Sequence, residues 1–241
     1  RELSLSRHEV VAVGDAANDH SFLTHAECPV AVANAAPSIK EIAAFVTDCE
    51  SSAGVVELID ELVTNDLCRF SGTLPQHWIR LGTDSDDETV HLPPYGHNVL
   101  VAGPSGSGKS TFIDGVIERL VAKDYQVCVV DPEGDFSTLR DVVPLGNQQR
   151  PPSINEVMTI LEDPKMNLSI NLLGVPLGDR PAFFAQLLPA IQALRARTGR
   201  PHWIVVDEAH HMLPSIWGHT AAVMPLELHE TILLTVHPEH L

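Results

Sequence analysis

The 241-residue chain is 44% hydrophobic and 20% charged, a balance typical of a folded globular protein rather than of a disordered chain. Its formal net charge of −17 argues against a large basic groove for nucleic acid. Its longest apolar stretches, such as residues 232–236, are far shorter than the roughly 20 residues of a membrane span, and no signal sequence opens the chain, so we expect a cytoplasmic protein.

The first third of the chain carries short β and α patterns. Apolar runs at 10–13 and 29–33 predict strands, and the spacing of apolar residues predicts helices over 38–45 and 54–63. The chain begins with Arg1 and reaches an apolar strand almost at once, so we expect it to be a piece of a longer protein.

Turn-forming residues accumulate after the last of these helices. An acidic run at 84–88, flanked by Gly and Pro, predicts a hairpin with strands at 78–81 and 89–92 and a solvated tip. We therefore expect a first domain over 1–66, a linker that contains this hairpin over 67–96, and a second domain over 97–241.

The second domain shows a long and regular alternation of strands and helices. Strands such as 127–130 and 204–206 are apolar without alternation, as expected when helices cover both faces of a sheet. The pattern predicts a three-layer α/β domain with a mainly parallel sheet. Its predicted strands are 98–102, 126–131, 168–172, 203–207 and 231–236, and its predicted helices are 110–122, 154–161 and 181–197.

The motif that decides the function of this domain lies between its first strand and first helix. The run fits G-x-x-x-x-G-K-[ST], whose glycines let backbone N–H groups turn inward around phosphate oxygens at the positive end of a helix dipole. Lys109 would reach the β- and γ-phosphates and act in catalysis, and the Ser110 hydroxyl would bind Mg²⁺. We expect ATP to be bound by Gly103, Pro104, Ser105, Gly106, Ser107, Gly108, Lys109, Ser110 and Thr111.

A second motif ends the apolar strand predicted at 203–207. Asp207 and Glu208 stand at the carboxyl end of this strand, where ligands bind in open α/β sheets. Asp207 would hold Mg²⁺ through water, and Glu208 would orient and polarise the attacking water as a catalytic base. A strand that ends in Asp-Glu is common by itself, but downstream of a P-loop it strongly indicates the magnesium ligand and the catalytic base of an ATPase.

Together these motifs resemble those of the additional-strand P-loop ATPases, and more narrowly the HerA/FtsK-type motors. The resemblance covers roughly residues 74–241 and rests on the P-loop, on the Asp-Pro-Glu-Gly-Asp run at 131–135 and on residues 207–214. It implies a RecA-like fold, a ring of identical subunits and an arginine supplied by the neighbouring subunit. Family members also carry a polar sensor, Thr-Gln-x-Pro, where this chain has Val236 in place of the Gln.

The Asp-Glu-Ala-His spelling at 207–210 leaves a second interpretation open, an RNA helicase of the DEAH type. Downstream helicase motifs are not visible in the sequence, and the acidic charge is unfavourable for RNA, so we rank this interpretation lower. His210 and His211 could bind a metal in isolation. Without a partner at helical spacing, a structural or coupling role is the better interpretation.

The first third carries a motif of its own, Gly-Asp-Ala-Ala-Asn-Asp at 14–19. Asp15 and Asp19 converge on one side of a turn and suit the oxygen-rich coordination of Mg²⁺, although a surface turn with two acids is the alternative. With residues 31–35 and 53–55, the motif resembles the C-terminal end of a haloacid dehalogenase-type phosphatase of the Cof or sucrose-phosphatase branch, over residues 3 to about 63. The resemblance implies that Asp15 and Asp19 bind Mg²⁺ and that Asn18 lies near the phosphate.

The groups that such a phosphatase needs for its chemistry are not found. No nucleophilic Asp and no phosphate-binding Lys precedes Gly14, so we expect no phosphatase activity from this segment. Three hypotheses remain. We favour an ATP-hydrolysing motor or remodelling domain. The second hypothesis, an ATP-binding module that regulates a fused phosphatase, follows closely because of Val236. The third is a sugar-phosphate phosphatase whose nucleophile lies outside residues 1–241.

Overall fold

The structure is a computed structural model that describes residues 6–65, 67, 70, 78–213 and 228–240. Its contacts group the chain into two compact units, Arg1–Trp78 and Ile79–Leu241. Among the described residues, no helix combines the length and the apolar character that a bilayer crossing requires.

The first unit is built on a small parallel sheet. Strands β1 (Val11–Gly14), β2 (Cys28–Ala31) and β3 (Phe45–Val46) lie side by side in that order. Strand β2 is buried along its whole length because it contributes to two hydrophobic clusters of this unit. The helices of the unit are α1 (His20–Leu23), α2 (Pro37–Lys40) and α3 (Ser51–Asn65).

The helix expected over 38–45 is wrong in its second half. Helix α2 ends at Lys40, and Phe45 instead belongs to β3, where it pairs with Val30. The Phe45 ring also stacks on that of Phe70, with ring centroids 3.7 Å apart. Long-range pairing of an aromatic residue has therefore overridden the local helical spacing.

The acidic hairpin opens the second unit. Strands β4 (Ile79–Thr83) and β5 (Thr89–Leu92) pair antiparallel. Ile79 and Leu92 are buried in a cluster that also contains Ile113. The sequence suggested a linker at this point, but the structure makes the hairpin part of the second unit's core.

A six-stranded parallel sheet forms the centre of the second unit. Its strands are β6 (Val99–Ala102), β7 (Val127–Asp131), β8 (Val142–Leu145), β9 (Asn167–Asn171), β10 (Trp203–Val206) and β11 (Thr231–Thr235), and its helices are α4 (Lys109–Ala122), α5 (Ile154–Leu161) and α6 (Arg180–Thr198). The strand order is β6-β11-β10-β7-β9-β8. The carboxyl ends of β6 and β10 therefore lie at the same edge, with β11 between them.

Alternate residues of the central strands face opposite layers of this unit. Val129 packs with Ile113 of α4, whereas Val130 packs with Phe184 of α6. Both faces of the sheet are thus covered, which explains the unbroken apolar runs in the sequence. The predicted three-layer α/β fold with a parallel sheet is confirmed.

Strand β8 was not predicted from the sequence. It lies in a passage rich in Pro and Gly and contains Pro144 itself. Because β8 is an edge strand, a residue that lacks an N–H group is tolerated there. The other strands and helices predicted for residues 98–236 all have bounds within one residue of those observed.

Candidate nucleotide-binding site

The loop between β6 and α4 has the backbone shape that P-loop glycines provide. Gly106 and Gly108 have φ angles of +74° and +90°, the left-handed region that favours glycine, and a Cβ atom at either position would meet no atom within 4 Å. The Gly108 carbonyl accepts a hydrogen bond from the Phe112 N–H at 2.9 Å, within the first turn of α4. The open loop thus precedes a helix N-terminus, where unpaired N–H groups and the helix dipole favour an anion.

Lys109 is the first residue of α4, and its side chain folds back along the loop. Its Nζ donates to the carbonyl oxygens of Gly103, at 2.9 Å, and of Pro104, at 3.2 Å. The next residues, Ser110 and Thr111, are exposed. A positive charge and two hydroxyl groups are therefore held beside the backbone of the loop.

The acidic pair predicted from the sequence opens into the same cleft as the P-loop. Asp207 and Glu208 leave the sheet directly after β10, at the edge where the P-loop also lies. The cleft encloses about 270 Å³ and contains one ammonium and four carboxyl groups. It is lined by Ser105, Gly106, Gly108, Lys109, Ser110, Thr111, Glu133, Asp135, Asp207 and Glu208; the predicted Gly103, Pro104 and Ser107 belong to the loop but not to this lining.

Asp207 is buried beside other carboxyl groups. Only 4% of its surface is exposed. The pKa of Asp207 is raised to about 7, mainly by burial and in smaller part by the negative charges of Glu208, Asp131 and Asp135. A carboxyl group in this environment binds either a proton or a cation strongly, since each relieves the repulsion.

Glu208, which also lines the cleft, has an unusual backbone conformation. Its φ and ψ angles of +42° and +50° lie in the left-handed region, which is unfavourable by about 1–2 kcal/mol for a residue with a Cβ atom. This conformation turns the chain sharply after β10 and into the short 3₁₀ helix Ala209–His211. Such local strain is typical of residues whose side chains must point at a ligand.

Asp131, at the end of β7, organises the loop that carries the other two carboxyl groups. It is fully buried and accepts hydrogen bonds from the backbone N–H groups of Gly134 at 2.7 Å, Asp135 at 3.1 Å and Phe136 at 3.0 Å. Burial raises the pKa of Asp131, and these three hydrogen bonds lower it in part. The turn that results places Glu133 and Asp135 in the cleft.

Two protein-family models match separate parts of the chain. Residues 1–59 match the haloacid dehalogenase-like hydrolases, and residues 81–127 match the P-loop containing region of the AAA domain. The first part of the chain is therefore similar to haloacid dehalogenase-like hydrolases, and the part that begins with the hairpin is similar to P-loop NTPases. We call residues 1–59 the HAD-like segment and residues 79–241 the P-loop domain.

Curated relatives match the HAD-like segment. The chain is 41% identical over 66 residues to phosphoglycolate phosphatase 2 of Saccharolobus solfataricus, covering 27% of this chain and 28% of the relative. It is 41% identical over 61 residues to the putative phosphatase YxeH of Bacillus subtilis, covering 25% and 23%. The chain therefore spans about a quarter of the length of these relatives.

One solved structure resembles a larger part of the chain. It is the genome packaging NTPase B204 from Sulfolobus turreted icosahedral virus 2 in complex with ATP-gammaS. The two chains are 17% identical, with a TM-score of 0.43 over 62% of this chain and 68% of the viral one.

Sequence reasoning missed two parts of the site in the P-loop domain. The first is the position of Glu133 and Asp135 in the cleft, although the motif that contains them was recognised. The second is a contact between His210 and Thr235, the last residue of β11, whose Nδ1 and Oγ1 atoms lie 3.1 Å apart. A polar side chain thus ends β11 even though Val236 replaces the expected Gln.

In the HAD-like segment, the two predicted metal ligands Asp15 and Asp19 lie close together, but the Asp19 carboxylate is already engaged in hydrogen bonds. The Asp19 carboxylate accepts hydrogen bonds from the N–H groups of Asp15, at 3.0 Å, and Ala16, at 3.2 Å. The hydrogen bond from Asp15 is the main cause that lowers the pKa of Asp19. Asn18 donates to the same carboxylate at 3.0 Å. Asp19 therefore shapes the turn after β1.

Proposed function

We propose that the P-loop domain binds ATP together with Mg²⁺ and hydrolyses it. The observation that carries this proposal is the single cleft in which the open glycine loop, Lys109 and Ser110 face Asp207 and Glu208. Backbone N–H groups and an ammonium group suit phosphate, whereas the surplus of carboxyl groups in the same lining suits a divalent cation.

Each group has a role that follows from its place in the cleft. The N–H groups of the loop and the Lys109 ammonium would neutralise the β- and γ-phosphates. The oxygen donors Ser110 and Asp207 fit the hard-ligand preference of Mg²⁺, which supplies charge neutralisation between phosphates when bound. With a pKa raised to about 7, Asp207 would be partly protonated at neutral pH. A bound cation would lower this pKa and keep the group ionised.

Glu208 is the residue that we assign as catalytic base. Its side chain lines the cleft, and the left-handed backbone directs it there. A carboxylate in this place would orient a water molecule for attack on the γ-phosphate and accept its proton. Asp207 cannot serve as well, because its role at the metal would compete.

The finer class that we propose is the HerA/FtsK type, in a cytoplasmic ring. The Asp-Pro-Glu-Gly-Asp run supports it, since Asp131 and Gly134 together fold the turn that puts two further carboxyl groups in the cleft. A ring would supply each site with an arginine from the neighbouring subunit. Cross-linking and light scattering with and without Mg-ATP would test the assembly, and a monomer under both conditions would contradict it.

The direct test of ATP hydrolysis is calorimetry and phosphate release with the whole chain. We expect ATP to bind and phosphate release to require Mg²⁺, so that EDTA abolishes release. Absence of ATP binding, or release that EDTA leaves unchanged, would show that the cleft has another use.

A second function is favoured by the family match of the HAD-like segment. We propose that a longer protein containing this chain, called the parent protein, hydrolyses a small phosphate ester of the sugar-phosphate class. ATP binding in the P-loop domain would regulate this phosphatase activity. The match to phosphatases over residues 1–59 supports this alternative. Phosphatase assays on the parent protein with wild-type and Lys109→Ala P-loops would test it, and equal dependence on ATP would contradict the regulatory link.

A further inference from the structure

His210 lies between the proposed catalytic base and the end of β11. Its Nδ1 atom is 3.3 Å from Glu208 Oε2 and 3.1 Å from Thr235 Oγ1. Glu208 Oε2 is buried and makes no hydrogen bond to any residue that the structure describes. A buried carboxylate oxygen without a donor is unfavourable, so a small movement of the ring or carboxylate that makes this bond lowers the free energy.

Thr235 connects His210 with the first residue of the P-loop. Its side chain is fully buried, and its hydroxyl oxygen accepts a hydrogen bond from the His237 N–H at 2.9 Å. The hydroxyl proton of Thr235 is therefore left to be donated, and His210 Nδ1 is within reach. The Thr235 carbonyl accepts from the Gly103 N–H at 3.3 Å. A continuous path of contacts thus runs from the P-loop to Glu208.

We propose that His210 is a positioning residue that ties the Glu208 carboxylate to Thr235 and so to the start of the P-loop. This inference rests on the proposed hydrolysis of ATP. Nδ1 can serve one of its two neighbours at a time: it accepts the Thr235 hydroxyl proton, or it donates its own proton to Glu208. The first arrangement releases the carboxylate towards the cleft, and the second holds it against the ring.

The consequence is that a shift at the end of β11 or in the loop reaches the catalytic base. Gly103 and Thr235 are joined through their backbones, so phosphate bound by the loop alters the Thr235 position. That change selects which partner His210 serves. The device would let Glu208 become available when nucleotide is in place, without touching the nucleotide itself.

Replacing His210 separates this role from a purely structural one. We expect His210→Ala to lower kcat by about 10-fold to 100-fold, the range for losing a partner that orients a catalytic group, while the affinity for Mg-ATP changes little. The His210→Asn variant keeps a polar atom near the Nδ1 position and should recover most of kcat. His210→Gln places its amide near the Nε2 position and should not recover it.

The neighbouring His211 is the matched control. Its ring lies 4.1 Å from that of His210. Its backbone N–H donates to the Glu208 carbonyl at 2.8 Å, a bond that an alanine at 211 keeps, and no described contact joins the His211 side chain to the side chain of Glu208 or Thr235. His211→Ala should keep kcat within about twofold, as expected for a residue outside the coupled group. Thr235→Val, which removes only the hydroxyl, should lower kcat, and its effect should not add to that of His210→Ala. Equal kcat in wild type and His210→Ala, or full recovery by Gln, would overturn the proposal.

A readout that does not need turnover keeps this inference distinct from the proposed function. The ¹⁵N chemical shift of His210 Nδ1 reports its hydrogen bonding directly. We expect it to move in Glu208→Gln and in Thr235→Val, and to stay in place in His211→Ala. If wild type does not hydrolyse ATP, the proposed function fails; if the Nδ1 signal is indifferent to both Glu208 and Thr235, the positioning role fails whatever the turnover.

Discussion

The N–H group of Gly134 donates to the buried Asp131 carboxylate at 2.7 Å, across the turn that follows β7. Gly134 can close this turn because its φ of +82° lies in the left-handed region. Asp131 and Gly134 therefore form one turn together. This turn places the carboxyl groups of Glu133 and Asp135 in the cleft that the P-loop also lines.

Substitution of Asp131 should destabilise the P-loop domain through this turn. Asp131→Ala removes the acceptor of three N–H groups, of which that of Phe136 is buried, and a buried donor left unsatisfied costs about 1–3 kcal/mol. Asp131→Asn keeps one acceptor oxygen and avoids burying a charge, so its loss of unfolding free energy should be smaller. Urea unfolding would measure both, and an Ala variant as stable as wild type would show that the turn folds without its carboxylate.

Lys109→Ala should abolish measurable ATP binding. The loss of a charge-assisted contact to phosphate is expected to lower the binding free energy by about 2–5 kcal/mol. The exposed Lys165 provides a control with the same change of charge, and Lys165→Ala should bind ATP like wild type. Calorimetry decides the matter, and equal affinity in wild type and Lys109→Ala would contradict it.

Asp207 should make the stability of the P-loop domain depend on pH. Its pKa is raised to about 7 in the folded protein, from an ordinary value near 3.8. The folded state therefore holds the proton of this group more tightly. The contribution of Asp207 to stability is fully present below about pH 4 and is lost as the pH rises through about 7, by about 1.4 kcal/mol per unit of pKa difference.

The Asp207→Asn variant cannot ionise and should be more stable than wild type at pH 8, by a margin that shrinks towards pH 5.5. The same variant should bind Mg-ATP more weakly, because it lacks the negative charge that favours the cation. Thermal unfolding across this pH range, with and without Mg-ATP, measures both effects. The exposed Asp179→Asn should show neither. A variant less stable than wild type at pH 8 would refute the burial argument.

The central site was predictable where its residues are contiguous in the sequence. The P-loop and the pair Asp207-Glu208 each follow a strand whose apolar run is unmistakable, and parallel strands bring their carboxyl ends together. The sequence does not show that the Asp131 carboxylate accepts hydrogen bonds from three backbone N–H groups, because these bonds exist only in the closed turn. As a result of this turn, Glu133 and Asp135, rather than Asp131, line the cleft.

Contacts between distant residues were the part that the sequence could not supply. His210 and Thr235 are 25 positions apart, and they meet because β10 and β11 are adjacent in the sheet. Phe45 likewise joins a strand because Val30 offers it a partner, although its local spacing is helical. In both cases the order of the strands determines which distant residues meet, and this order depends on the whole sheet rather than on any one segment.

The HAD-like segment should be inert as a phosphatase by itself. Residues 1–14 contain no aspartate, so the carboxylate nucleophile of an aspartyl-phosphate route does not precede the Asp15 turn. We expect no release of phosphate from sugar phosphates or p-nitrophenyl phosphate by the 241-residue chain. Turnover that disappears in Asp15→Ala and Asp19→Ala would contradict this prediction and would show that the turn is catalytic without that nucleophile.

ATP hydrolysis by an isolated subunit should be slow although binding is intact. An arginine supplied in trans is worth about 10³–10⁵ in the rate of phosphoryl transfer, and no arginine follows Arg200 in the sequence. The residual rate should still depend on Glu208, because positioning of the attacking water does not require the arginine.

Glu208→Gln should therefore retain ATP with undiminished affinity while phosphate release stops. Rapid filtration of labelled ATP after single turnover distinguishes trapped substrate from product. A monomeric preparation that turns over at roughly tens per second, a rate typical of efficient phosphoryl-transfer enzymes, would refute the need for a second subunit.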